Sequence, residues 1–141
     1  MPETALPVEY LFTMKATLGP ATRIPGGPQG SRAIVAVTGG AFEGPKLSGA
    51  VAPVGGDWVT LRSDGSYKLD VRATLVTDDG AAIYISYNGI GVPKDGRTPL
   101  RTAPLFETAD PRYAWLNNVQ AVGLGFSGRG EVQYDIYALS V

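Results

Sequence analysis

A chain of 141 residues has the length of one domain, and with 44% hydrophobic and 18% charged residues its composition is globular. Twelve basic against thirteen acidic side chains leave a formal charge of −1, which gives a nucleic acid no electropositive footprint to bind. With no cysteine and no histidine, disulfides, thiolate nucleophiles, Cys-based metal centres and every Ser-His-Asp arrangement are excluded, so proton transfer falls to Asp, Glu, Tyr or Lys.

At the start of the chain, "MPETALPVEYLF" carries an early acid and no long apolar core, so it is not expected to act as a signal peptide. No later apolar run approaches the roughly 20 residues of a membrane helix. The expectation is a cytoplasmic protein without a membrane partner. The 19 glycines and 11 prolines cluster between short alternating segments, the pattern of an all-β chain. Strands are expected near 8–18, 31–38, 42–52, 57–62, 66–77, 81–88, 101–108, 118–127 and 131–140. Turn signals separate them: the 19–30 stretch "GPATRIPGGPQG", glycine pairs at 39–40 and 55–56, "SDG" at 63–65, "DDG" at 78–80 and "SGRG" at 127–130.

One segment has helical character. In "DPRYAWLNN", residues 110–118, Asp110 can cap and Pro111 suits a first helical position. Some nine strands and one short turn of helix, without a break in composition over 1–141, imply a single antiparallel sheet. It closes into a barrel or folds into a sandwich. Closure is favoured because it removes sheet edges, and these strands carry few edge-protecting lysines. The stretches 19–30 and 89–100 are long enough to border a barrel mouth.

Charges in the strands raise the question of a site. Over 69–75, Leu69, Val71, Ala73 and Leu75 share one face, and Asp70, Arg72 and Thr74 the other. With the apolar face in the core, Asp70 and Arg72 form a surface pair worth about 0–1 kcal/mol. A second reading turns the mixed face inward. Trp58, Thr60 and Arg62 share one side of their strand, and Tyr84 and Ser86 one side of theirs; aromatics with a few placed charges suit a polar ligand cavity. The outward apolar face would then need cover from a second copy, which makes a homodimer the expected assembly.

The motifs "TGGAFEGPKLSG" (38–49), "GGDWVTLRSDG" (55–65), "LDVRATLVTDDGAAIY" (69–84) and "RYAWLNN" (112–118) resemble the domain of unknown function 3237 family, over about residues 8–140. The resemblance implies a roughly ten-stranded antiparallel barrel, lipocalin-like in outline, and little biochemistry. Gly39, Gly40, Phe42, Gly44, Pro45 and Gly49 match its framework, with a β-bulge expected after Phe42. Asp57, Trp58, Arg62, Asp70, Arg72, Tyr84, Tyr113, Trp115 and Asn117 match as well. Ala73 stands where a tyrosine is common, a change that enlarges or opens one wall. A pattern keeping Asp70 with Arg72 favours the reading in which both face the lumen.

The candidate catalytic residues are therefore Asp70 or Asp57 as general base, Arg72 as oxyanion partner and Tyr84 (or Tyr113) as acid. Trp58, Arg62, Tyr113, Trp115 and Asn117 are the expected ligand contacts, the last three as a lid over a mouth or a plug of the core. No carboxylate cluster has metal-ligand spacing, and neither "GGPQG" nor "GRG" precedes a helix as a phosphate loop does, so no metal or cofactor is expected. The function expected is acid/base chemistry beside a carbonyl of a small aromatic or amphipathic molecule: isomerisation, cyclisation or addition–elimination, by a lyase or isomerase. A non-catalytic carrier or sensor, and a filled barrel serving assembly, are the alternatives.

Overall fold

The computed structural model describes residues 2 and 4–140. Ten strands follow in chain order: β1 Val8–Leu18, β2 Thr22–Gly27, β3 Gly30–Glu43, β4 Ser48–Leu61, β5 Tyr67–Thr77, β6 Ala82–Gly91, β7 Thr98–Thr102, β8 Leu105–Glu107, β9 Ala121–Gly128 and β10 Glu131–Leu139. A single 3₁₀ turn, Ala114–Asn118, lies between β8 and β9. The antiparallel order is β1-β10-β9-β7-β6-β5-β4-β3-β2. A second ladder from β1 to β3, Thr13 opposite Glu43 through Leu18 opposite Val37, joins the ends. The result is a closed eight-stranded barrel with β2 and β8 as additional strands.

The glycine pairs do not end strands as expected. β3 and β4 each run 14 residues unbroken, and their hairpin lies at 44–47, where the Gly44 N–H donates to the Leu47 carbonyl at 2.9 Å. The pairs mark register shifts inside the strands, between Ala36 and Gly40 in β3 and between Val51 and Gly55 in β4. The β3 irregularity thus precedes Phe42 and does not follow it. Gly40 (φ +148°) and Gly55 (φ +94°) leave no room for a side chain: a Cβ on Gly40 would overlap the Lys15 carbonyl oxygen, and one on Gly55 that of Arg72. Glycine lets neighbouring backbones close in there and bends the sheet toward closure. The single strand expected over 101–108 is split at Ala103-Pro104, because proline cannot donate to a continuing ladder. β7 pairs the end of β6 and also β9, while β8 pairs the start of β6 alone.

The apolar face of β5 is the inner one. Leu69, Val71, Ala73 and Leu75 are all buried at 6% exposure or less, with Asp70 and Arg72 on the outside. This overturns the expectation that Asp70 and Arg72 face the lumen. Desolvating two charges costs several kcal/mol per ion, whereas turning four apolar side chains inward is favourable by about 25 cal/mol per Å² buried. No second copy is needed to cover the apolar face, since the barrel covers it.

One end of the barrel is filled. Phe12 packs on Phe42 and Phe106 with ring centroids 5.4 and 6.0 Å away, and Leu75, Ile83 and Leu116 complete a cluster of fully buried side chains. The 3₁₀ turn delivers Leu116 and the buried Tyr113 ring to this end. Among the described residues no helix is long and apolar enough to cross a membrane.

Candidate functional site

The other half of the barrel is open. A cavity of about 190 Å³ lies between Met14, Ala16 and Leu18 of β1, Val35 and Val37 of β3, Val59 of β4, Leu69, Val71 and Ala73 of β5, Leu100 of β7 and Val132 of β10. An apolar cavity of about 150 Å³ holds one benzene, so this one has room for a small aromatic body. Few polar groups interrupt the apolar wall: Asp57, Tyr67, Tyr87, Ser127 and Tyr134, with Arg23 contributed by β2.

Asp57 reaches this lumen because the glycine-bearing bulge sets the phase of β4, so that Asp57, Val59 and Leu61 all point inward. It stands opposite Val71, which in turn stands opposite Tyr87, so acid and phenol occupy one row across three strands. Asp57 Oδ1 accepts the Asp70 backbone N–H at 3.0 Å. Burial pushes its carboxyl up to about 6; the Asp70 N–H opposes that rise and the Asp70 charge, just across the wall, adds to it. A carboxyl poised there can both donate and accept a proton near neutral pH.

Two of the three cavity tyrosines pack against each other. Tyr87 and Tyr134 pack edge to face with centroids 5.3 Å apart. Burial is the main cause holding both phenols well above the ordinary tyrosine range. The Asp57 charge raises both further, so all three groups sense one another. Both phenols stay neutral and act as hydrogen-bond donors through the physiological range.

Of the residues expected at the site, the cavity holds Asp57. Asp70 is half-buried on the outer wall and touches the site only through its backbone N–H and its charge. Arg72 is exposed, its guanidinium 5.7 Å from the ring centroid of Trp58, which also faces outward. Tyr84 lies outside too, opposite Thr74 and Glu107. Arg62 sits on the turn after β4, its Nε donating to Ser66 Oγ at 2.8 Å. Tyr113, Trp115 and Asn117 belong to the filled end. Tyr113 donates to Asp79 Oδ2 at 2.8 Å, Lys46 lies 5.2 Å from the Trp115 ring, and the Asn117 amide bonds both the N–H and the carbonyl of Thr108. Tyr113 is buried at this end while Trp115 and Asn117 are exposed on its outside, and none of the three lines the cavity as the expected lid would.

Tyr67, Tyr87, Ser127, Tyr134 and Arg23 are polar cavity groups that the strand alternation did not single out. A signal for two of them existed: Tyr87 alternates in phase with Ile83 and Ile85, and Tyr134 with Val132 and Ile136. A polar atom on an otherwise apolar inner face marks a cavity as well as a charge-rich face does. Among the described residues no three potential metal-ligating side chains converge.

Residues 6–139 match the family described as "Protein of unknown function (DUF3237)". The chain belongs to this family. Within DUF3237 and its neighbourhood, a UPF0311 protein of Rhodopseudomonas palustris is 32% identical, covering 94% of this chain and 95% of its own length. A crystal structure of a β-barrel-like protein from Acinetobacter baumannii superposes with a TM-score of 0.88 at 31% identity, over 99% of each chain. The hydroalkoxylation enzyme phnH of Penicillium herquei is 33% identical, covering 82% of this chain and 72% of that one.

Proposed function

We propose that this DUF3237 barrel is an acid/base enzyme that adds an O–H across a C=C conjugated to a carbonyl, or catalyses the reverse elimination, on a small and largely apolar molecule held in the lumen. The observation that carries the reading is the Asp57 carboxyl, held at about 6 by burial in an apolar cavity beside two neutral phenols. The relationship to a hydroalkoxylation enzyme supports the same class of chemistry.

In the addition direction the Asp57 carboxylate takes the proton of a substrate hydroxyl as its oxygen attacks the β-carbon. The C=C electron pair moves onto the carbonyl oxygen, where Tyr87 or Tyr134 donates a hydrogen bond to the developing enolate. Protonated Asp57 then returns the proton to the α-carbon, which restores the carbonyl and the resting carboxylate. One carboxyl serves both steps, and its position near neutrality suits both.

The test substrate is 1-(2-hydroxyphenyl)but-2-en-1-one, which closes to 2-methylchroman-4-one with loss of the enone absorbance. The protein should accelerate closure, Asp57→Asn should remove about 10²- to 10⁴-fold of that acceleration, and the rate should rise with pH through about 6 as the base form appears. Closure no faster than in buffer, or unaffected by Asp57→Asn, would refute the proposal.

A further inference from the structure

Among the cavity-lining residues one side chain carries a fixed positive charge, and it comes from outside the eight-stranded wall. Arg23 lies on β2 directly opposite Ala33, which is buried and inward, and Ala33 stands opposite the inward Val59. Directly opposed residues share a face, so Arg23 is aimed at the cavity mouth that it helps line. Its row lies one inward position from that of Asp57, which is opposite Val35. Two residues along and two strands across place the two backbones roughly 12 Å apart by strand geometry. The span suits a small aromatic body.

The described residues offer this guanidinium no anion. Their ion pairs lie elsewhere, at Lys46–Glu9, Arg112–Asp79 and Arg112–Asp110, and no side-chain hydrogen bond is formed by Arg23. Arg23 is exposed at that mouth, whereas Arg32, on the opposite face of the neighbouring strand, is half-buried and donates to Thr60 Oγ1 at 3.5 Å. Between Arg23 and Asp57 the wall is apolar, so a bound molecule would be polar at its two ends and apolar between.

We infer that Arg23 receives a carboxylate of the substrate, so that the cavity selects small aromatic monoanions and orients them with the carboxylate at the mouth and the apolar body toward Asp57. The planar guanidinium matches a carboxylate in a two-point hydrogen bond. This inference rests on the reading of the cavity as the reaction site, and it adds the substrate class.

The probes are trans-cinnamate and its neutral counterpart cinnamide, titrated by calorimetry, with the ring NMR signals of Tyr87 and Tyr134 reporting location. The wild type should bind cinnamate about 2- to 5-fold tighter than cinnamide, the range expected of an ion pair at a solvent-exposed arginine. Arg23→Gln should bring that ratio to about 1 while leaving cinnamide affinity unchanged, and Arg23→Lys should keep part of it because the charge remains but the fork is lost. Raising NaCl from about 20 to about 500 mM should narrow the ratio in the wild type. If both probes move the tyrosine signals and Arg23→Gln leaves their ratio unchanged, the role of Arg23 is refuted and the cavity reading stands. Binding that leaves both tyrosines unmoved, or no binding of either probe, refutes both.

Discussion

Replacing Asp57 by Asn should stabilise the protein at neutral pH, although the residue lies at the proposed reaction centre. Folding raises its carboxyl from 3.8 to about 6, with burial the largest cause. A carboxyl raised on folding favours the folded state while it is protonated. That contribution is fully present below 3.8, is lost as pH rises toward about 6, and stays lost above. At about 1.4 kcal/mol per pH unit the loss amounts to about 3 kcal/mol, an upper figure because the cavity admits water. Asn carries no charge, occupies nearly the same volume and keeps an oxygen to accept the Asp70 N–H. Urea unfolding of both proteins from pH 4 to 8 isolates the effect, because other titrating groups act equally on each. Asp64, Asp79 and Asp110, all held below the usual carboxylate range by hydrogen bonds, cancel in the difference. The Asn variant should be more stable by about 2–3 kcal/mol at pH 7.5, with the gap closing by pH 4. A gap that does not change with pH, or one favouring the wild type at pH 7.5, would show that Asp57 is not a desolvated acid.

Ala73→Tyr should fill the lumen, because Ala73 is 4% exposed and lines the cavity beside Val71 and Asp57. Cinnamide binding should vanish while far-UV circular dichroism stays that of a β-barrel. Gly55→Ala should cost about 2 kcal/mol or more in thermal or urea unfolding, from positive φ and the collision with the Arg72 carbonyl. Arg72→Leu should change stability by less than about 1 kcal/mol, since an exposed arginine loses only its contact with Trp58.

How much of this was legible without coordinates depends on the type of information each feature carries. Period-2 alternation and glycine punctuation specify an antiparallel all-β fold because they act over a few residues, and the segments from 66 to 77 and 131 to 140 agree with β5 and β10 nearly to the residue. The hairpin at 127–130 was equally local: Arg129 and Gly130 both take positive φ in a two-residue turn. The same logic failed at Gly39-Gly40 and Gly55-Gly56, where glycine serves the close approach of another strand's backbone, a partner that sequence neighbours do not reveal.

The face of each strand was likewise legible as a set and undetermined as a direction. Alternation sorts Asp70 and Arg72 from Leu69 and Val71, but only barrel closure says which set loses its water, and the cost of desolvating charge decides for the apolar one. Asp57 was identifiable as a carboxylate on the same face as Val59 and Leu61. Its chemistry came from tertiary structure, because the walls that raise its carboxyl and the phenols that share its cavity come from strands up to 77 residues away, on β6 and β10. An acid in water is ordinary; the same acid becomes a proton shuttle only where folding has removed the water around it.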